Sequence, residues 1–186
     1  MNDLHPGLVA ALVVDLDAGF ADVVRAYQGL LLGTALRLTG DRPAAEDLAA
    51  EAFLRAFRAL RDYDAERIAA LELRGWLVTV LLNEHRNTVR TATRRPALSG
   101  APLPERAARE PGPAEVATRG DPDLAAALAA LPAVQRDAVV LRHVADLDVP
   151  AVAAALGVGE GTARSHVSRG LARLRTLLAS PDRSAP

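Results

Sequence analysis

The chain has 186 residues, 50% of them apolar and 24% charged, with a formal net charge of −1. That balance suits a folded, soluble protein and removes any whole-chain electrostatic argument for a polyanionic partner, so such a case has to rest on local clusters. Cysteine is absent, which excludes disulfides and thiolate metal sites, and all 22 basic residues are arginine.

Residues 1–19 form an N-terminal extension to which the sequence assigns no role. Its apolar run Leu8–Val14 is short and has no basic residues before it, so it does not read as a secretory signal. No segment reaches the roughly 20 apolar residues of a membrane span. A cytoplasmic protein without membrane insertion is therefore expected.

From residue 18 the apolar positions recur at helical spacing. Phe20, Val23, Val24, Tyr27, Leu31 and Leu38 predict a helix over about 18–39. Gly40-Asp41-Arg42-Pro43 follows as a turn, with Asp41 as N-cap and Pro43 in the first turn of the next helix. That helix runs to about Arg61, with Leu48, Ala52, Phe53, Ala56, Phe57 and Leu60 inward. Asp41–Glu51 has net charge −3 and leads into Arg55, Arg58 and Arg61. This order suits the helix dipole and a solvated face, but Leu54 on the outer side also fits a docking surface. Tyr63-Asp64 opens a loop. A further helix covers about 73–93, with Trp76, Leu77, Val80 and Leu81 inward. Between His85 and Arg95 it carries four arginines and no acid. Asn83, Asn87 and Arg90 share a face there. Such a face can hold a nucleic-acid backbone while the amides bond to base edges, or it can simply offset the helix dipole.

Over 94–122 the apolar period disappears. Six of the twelve prolines fall in that stretch, with Gly100, Gly112 and Gly120, which predicts a flexible linker. Helices resume at 124–131 and 134–145. The segment 146–175, DLDVPAVAAALGVGEGTARSHVSRGLARLR, then gives a short helix, a Gly-containing turn and a longer helix. Val149, Val152, Ala153 and Leu156 make one apolar face, and Gly157 suits a left-handed C-terminal position. In the longer helix Ala163, Val167, Leu171, Leu174 and Leu178 are apolar. Arg164, Ser165, His166, Ser168, Arg169 and Arg173 lie between them. Residues 160–178 have net charge +3. This is the layout of a helix-turn-helix, whose second helix enters a DNA major groove. Residues 180–186 read as a frayed tail.

The expected fold is all-α: a helical unit over 20–93, the linker 94–122 and a helix-turn-helix unit over 123–179. Two DNA-contacting modules on one tether can engage two separated elements.

The two halves together resemble a known family. Pro43–Arg58, PAAEDLAAEAFLRAFR, resembles the conserved helix of region 2 in bacterial RNA polymerase sigma factors of the extracytoplasmic-function (ECF) type. Gly75–Arg95, GWLVTVLLNEHRNTVRTATRR, is similar to the promoter-melting part of that region, and its VLLNEHRN stretch to an actinobacterial subgroup. Leu128–Arg175 is similar to region 4. The resemblance covers about residues 20–178.

The resemblance implies that Asp47, Leu48, Glu51, Leu54, Arg55 and Arg58 dock on the coiled coil of the polymerase largest subunit, with the polymerase flap as a further partner. It implies that Asn83, Arg86, Asn87 and Arg90 contact the minus-10 element. The loop between Tyr63 and Arg74 would capture a base flipped from the opening duplex. Thr162, Arg164, Ser165, His166, Ser168, Arg169 and Arg173 would read the minus-35 element. Trp76 fits either core packing or base stacking. Double- and single-stranded promoter DNA and an anti-sigma factor are the other implied partners. Ala50 stands where the family usually has glutamine, Asn87 where aspartate is common, Gly159 at a usual serine N-cap and Arg164 for a frequent lysine.

The alternative is a helix-turn-helix regulator that never joins polymerase. No nucleophile–base pair, phosphate-binding glycine loop or metal-ligand spacing occurs, so no enzyme activity, cofactor or metal is expected.

Overall fold

The computed structural model describes residues 5–94 and 121–179, and among them every regular element is helical. The first unit comprises α1 (His5–Val14), α2 (Leu16–Thr39), α3 (Arg42–Arg61), α4 (Ala65–Ala69) and α5 (Leu73–Arg94). The second comprises α6 (Pro122–Ala129), α7 (Ala133–His143), α8 (Val149–Leu156) and α9 (Glu160–Ala179). Most of the linker read at 94–122, and all of the tail at 180–186, lie outside the described residues. No described helix is long and apolar enough to cross a membrane.

Aspartates start five of the helices. The side chains of Asp15, Asp41, Asp64, Asp121 and Asp148 each accept a hydrogen bond from a backbone N–H in the first turn, at 2.8–3.1 Å. Each such cap contributes about 1 kcal/mol by satisfying an otherwise orphaned donor. The predicted Asp41 cap and Pro43 are in place.

Residues 5–14, for which the sequence suggests no role, form α1. It packs on α2 and α4 and buries Leu12 to 2% exposure. The crossing depends on Gly19, because a Cβ there would lie 2.6 Å from the backbone of Ala11 and Leu12. Gly170 has the matching part in the second unit. A Cβ there would lie 2.6 Å from Val139 Cγ2 and 3.0 Å from the Gln135 carbonyl oxygen, so α9 lies directly on α7.

Leu31, Leu60, Leu77, Leu81 and Val78 fill the first unit's core, and Val140, Leu141, Val152 and Ala163 the second's. These residues belong to one continuous apolar cluster that runs through both units. Several side chains differ from the pattern read in the sequence, among them Trp76 and Val80, which are only partly buried. Phe53 and Phe57 are only partly buried, and Leu178, placed on the inward face of the last helix, is 47% exposed near the chain's end.

Candidate nucleic-acid interface and docking surface

The helix-turn-helix forms as its spacing predicts. Gly157 adopts φ +70°, and its N–H and that of Val158 bond back to Ala154 and Ala153, a Schellman closure that satisfies the last carbonyls of α8. Gly159 then offers its carbonyl oxygen to Thr162 and Ala163 at 3.0 Å, but has no side chain to cap α9. Along α9, Thr162, Arg164, Ser168, Arg169 and Arg173 are exposed, while Ser165 and His166 are partly so. Arg164 pairs with Glu160 at 2.8 Å, and Ser165 Oγ donates to the Gly161 carbonyl. His166 Nδ1 is enclosed and has no protein partner. This surface is a row of cationic and hydroxyl groups on one rigid helix, suited to phosphates and base edges.

Beside it, Arg142 and His143 of α7 and Arg164, Ser168 and Arg175 of α9 surround a hollow of about 360 Å³. Arg142, His143 and Arg175 are not singled out by the sequence: Arg142 and His143 precede the motif, in a last turn that suits dipole compensation, and Arg175 is the motif's final residue. Arg142 is anchored by donating to the Leu147 carbonyl at 3.0 Å.

The second cluster is divided. Asn83 and Arg90 are exposed, Asn87 is half-buried, and Arg90 donates to the Asn87 side-chain oxygen. Arg86 instead turns toward the second unit. Its Nε and Nη2 both donate to Asp137 Oδ2, at 3.3 and 3.2 Å. Asp137 is 3% exposed, and its Oδ1 has no protein partner. Burial pushes the Asp137 carboxyl above its ordinary value, against the pull of Arg86. Burial likewise lowers the neighbouring His85, with Asp137 opposing and Arg136 and Arg86 assisting.

On α3, Asp47 and Arg58 are exposed, Leu54 is 50% exposed and Glu51 is half-buried. Leu48 does not join this surface: it is 7% exposed and belongs to the core, one turn before the fully buried Ala52. Arg55 bridges α3 to α5. Its Nε donates to Glu51 at 3.1 Å and sits 2.7 Å from Glu84 Oε2, which is held there by charge without an aligned hydrogen bond.

Next to this face, α2 and α3 enclose an apolar groove of about 720 Å³. All three phenylalanines of the chain line it, with the Phe20 ring centroid 5.1 Å from Phe57 and 6.3 Å from Phe53. Ala50 is part of its wall. The partial exposure of Phe53 and Phe57 is explained by this opening. In the 63–74 segment, Arg67 stacks over Tyr63 at 3.6 Å, and Tyr63 lies 6.1 Å from Trp76, which is half-buried.

Comparison with known proteins shows the family of the chain. Residues 23–95 match the Sigma-70 region 2 family and residues 123–174 match Sigma-70, region 4. The RNA polymerase sigma-E factor of Streptomyces coelicolor is 33% identical over 169 residues, covering 89% of each chain. The chain belongs to the ECF RNA polymerase sigma factors.

The ECF sigma factor SigE of Mycolicibacterium smegmatis is 35% identical over 164 residues, 85% of this chain but 61% of that one. Two solved structures share the fold. One is CnrH in complex with the cytosolic domain of CnrY (TM-score 0.68, 23% identity, 95% of this chain and 97% of that one). The other is the sigma factor RpoE of Bartonella quintana with the anti-sigma factor NepR (TM-score 0.67, 24% identity, 87% and 98%). The sigma factor described here is thus a DNA-binding, polymerase-associated protein of transcription initiation, and a regulator that acts apart from polymerase is not favoured.

Proposed function

We propose that the sigma factor docks on core polymerase through Asp47, Glu51, Leu54, Arg55 and Arg58 on α3, and recognises a bipartite promoter with α5 and α9. Thr162, Arg164, Ser165, His166, Ser168, Arg169 and Arg173 take the minus-35 element as duplex. Asn83, Arg86, Asn87 and Arg90 take the minus-10 element as it opens. The observation that carries this reading is the exposed arginine and hydroxyl row on α9, in a chain that also presents the half-exposed Leu54 among ordered charges on α3.

The apolar groove that Leu54 and Ala50 help to line supports α3 as the docking face. The Arg67–Tyr63–Trp76 group, with Arg67 over Tyr63 and Trp76 tilted against it, offers aromatic and guanidinium planes on which a flipped base can stack. The polymerase flap meets the second unit. An anti-sigma factor is a further partner, a reading supported by the two solved relatives of like fold, each held in a complex. The chain works in the cytoplasm and catalyses no reaction itself; family membership supports both statements.

The test is reconstitution. Core polymerase with this chain is expected to give a stable complex and a promoter-specific transcript from templates recovered by mapping its bound sites in cells. Absence of both would refute the reading.

A further inference from the structure

The arginines of α5 face the second unit as well as solvent. Arg74, in the first turn, lies 3.3 Å from Asp146, which stands in the left-handed conformation (φ +53°) between α7 and α8. Arg86, twelve residues later, gives two hydrogen bonds to the buried Asp137 of α7. At about 1.5 Å per residue the two ties are some 18 Å apart along one helix. Between them the backbones come close: a Cβ on Gly75 would lie 4.0 Å from the Cβ of Ala151 on α8. The apolar cluster is continuous across the same boundary.

The two ties differ in kind. The Asp146 side chain is 75% exposed, so its pairing is screened and weak. Asp137 is enclosed, and a buried carboxylate left without its cation is costly. Arg86 is thus needed by the second unit when the units are together, and by DNA, on the reading above, when they act.

We propose that the free chain closes on itself. The second unit holds Arg86 and Arg74 through Asp137 and Asp146, and keeps part of the minus-10 surface out of reach until the units separate. The proposal rests on the assignment of Arg86 to DNA. In the closed form Arg86 cannot give both donors to a phosphate or a base. Any ligand that needs it must first work against closure, which lowers apparent affinity by the fraction of chain that is open.

The absence of native cysteine permits a direct test. The 4.0 Å Cβ separation lies within the range for a disulfide. The double variant Gly75→Cys/Ala151→Cys should therefore cross-link readily in the free full-length chain under mild oxidant. The oxidised form should lose most promoter-specific transcription with core polymerase, and reductant should restore it in the same sample, with no charge altered. Failure to cross-link would overturn the closed form. An oxidised chain as active as the reduced one would overturn its inhibitory role.

A second measurement is independent of the new cysteines. Small-angle scattering should show Asp137→Arg, which opposes two guanidinium groups, to be more extended than wild type. The reversal Arg86→Asp/Asp137→Arg should be compact again, and a reversal as extended as the single variant would count against the latch. A wild-type chain without any promoter-specific transcript would sink the functional reading itself. Wild-type activity with an equally active oxidised variant would sink only the latch.

Discussion

Helices α9 and α5 carry similar sequences of charge and hold them in different ways. Each has several arginines among polar residues and little acid nearby. On α9, Arg164, Arg169 and Arg173 stand out into solvent, and the Arg164–Glu160 ion pair in that row is local and exposed. On α5, Arg86 is drawn into a pair with a buried aspartate 51 residues away, and Arg74 reaches Asp146. A run of arginines therefore marks a cationic helix, but whether the cations are available depends on residues that only the fold brings near. The same charge pattern is a presented surface in one helix and an internal joint in the other.

This contrast can be broken at several points. The largest effect is expected from Gly170→Leu, which drives a side chain into Val139 and the Gln135 carbonyl and lifts α9 off α7. Overpacking of this kind costs about 3 kcal/mol. The second unit should melt early by calorimetry while the helices of the first remain. Loss of both units together would show that the shared apolar cluster makes them one cooperative body.

Next is Arg86→Ala, which leaves Asp137 enclosed without its cation. A drop of about 2 kcal/mol in chemical denaturation is expected, below the full figure for a buried pair because Arg86 is partly exposed. Unchanged stability would show that the pair contributes nothing to the joint. Arg169→Ala is the counterpart on α9. It should leave stability within about 0.5 kcal/mol of wild type. It should weaken promoter binding and reduce the salt slope by about 1, as loss of one phosphate contact does. An unchanged slope would assign Arg169 to base readout or to no contact at all.

The smallest effect concerns pH. Burial holds His85 below its ordinary value of 6.5, with Asp137, Arg136 and Arg86 as the charges that face it. A depressed value means the folded chain resists a proton that the unfolded chain accepts. The His85 contribution is therefore complete above about pH 6.5 and is lost as pH falls below it. The raised Asp137 acts in the opposite sense, so its contribution falls as pH rises through its folded value. Comparing wild type with His85→Phe isolates the histidine: the wild type should lose more melting temperature between pH 7.5 and 5.5. Equal losses would show that His85 is not the titrating group.

Local chemistry made much of this molecule legible before its structure. Asp41, Pro43 and Gly157 act through their own backbone neighbours, so their roles as caps and turn could be read from adjacent residues. Helical periods located α2, α3, α5 and α9 within a few residues. Helix α1 was not legible because LVAALVV is an unbroken apolar run with no period to read. Its seat on Gly19 appears only once two helices cross. The helical period places Leu48 inward, and only the family resemblance puts it in the docking row. Its inward turn follows from the packing of α2 and α5 against α3. The Arg86–Asp137 pair was hidden for the most general reason, since nothing in either local sequence points to the other.

The aromatic group formed by Tyr63 and Trp76 has a practical consequence. Trp76 is the chain's single tryptophan, and it sits beside Tyr63, whose ring the Arg67 guanidinium covers. Its ultraviolet emission therefore reports on one place alone, without any attached dye. A rearrangement of the 63–74 segment as a duplex opens would be visible, in real time and in the native chain, as a change in the colour and brightness of one indole.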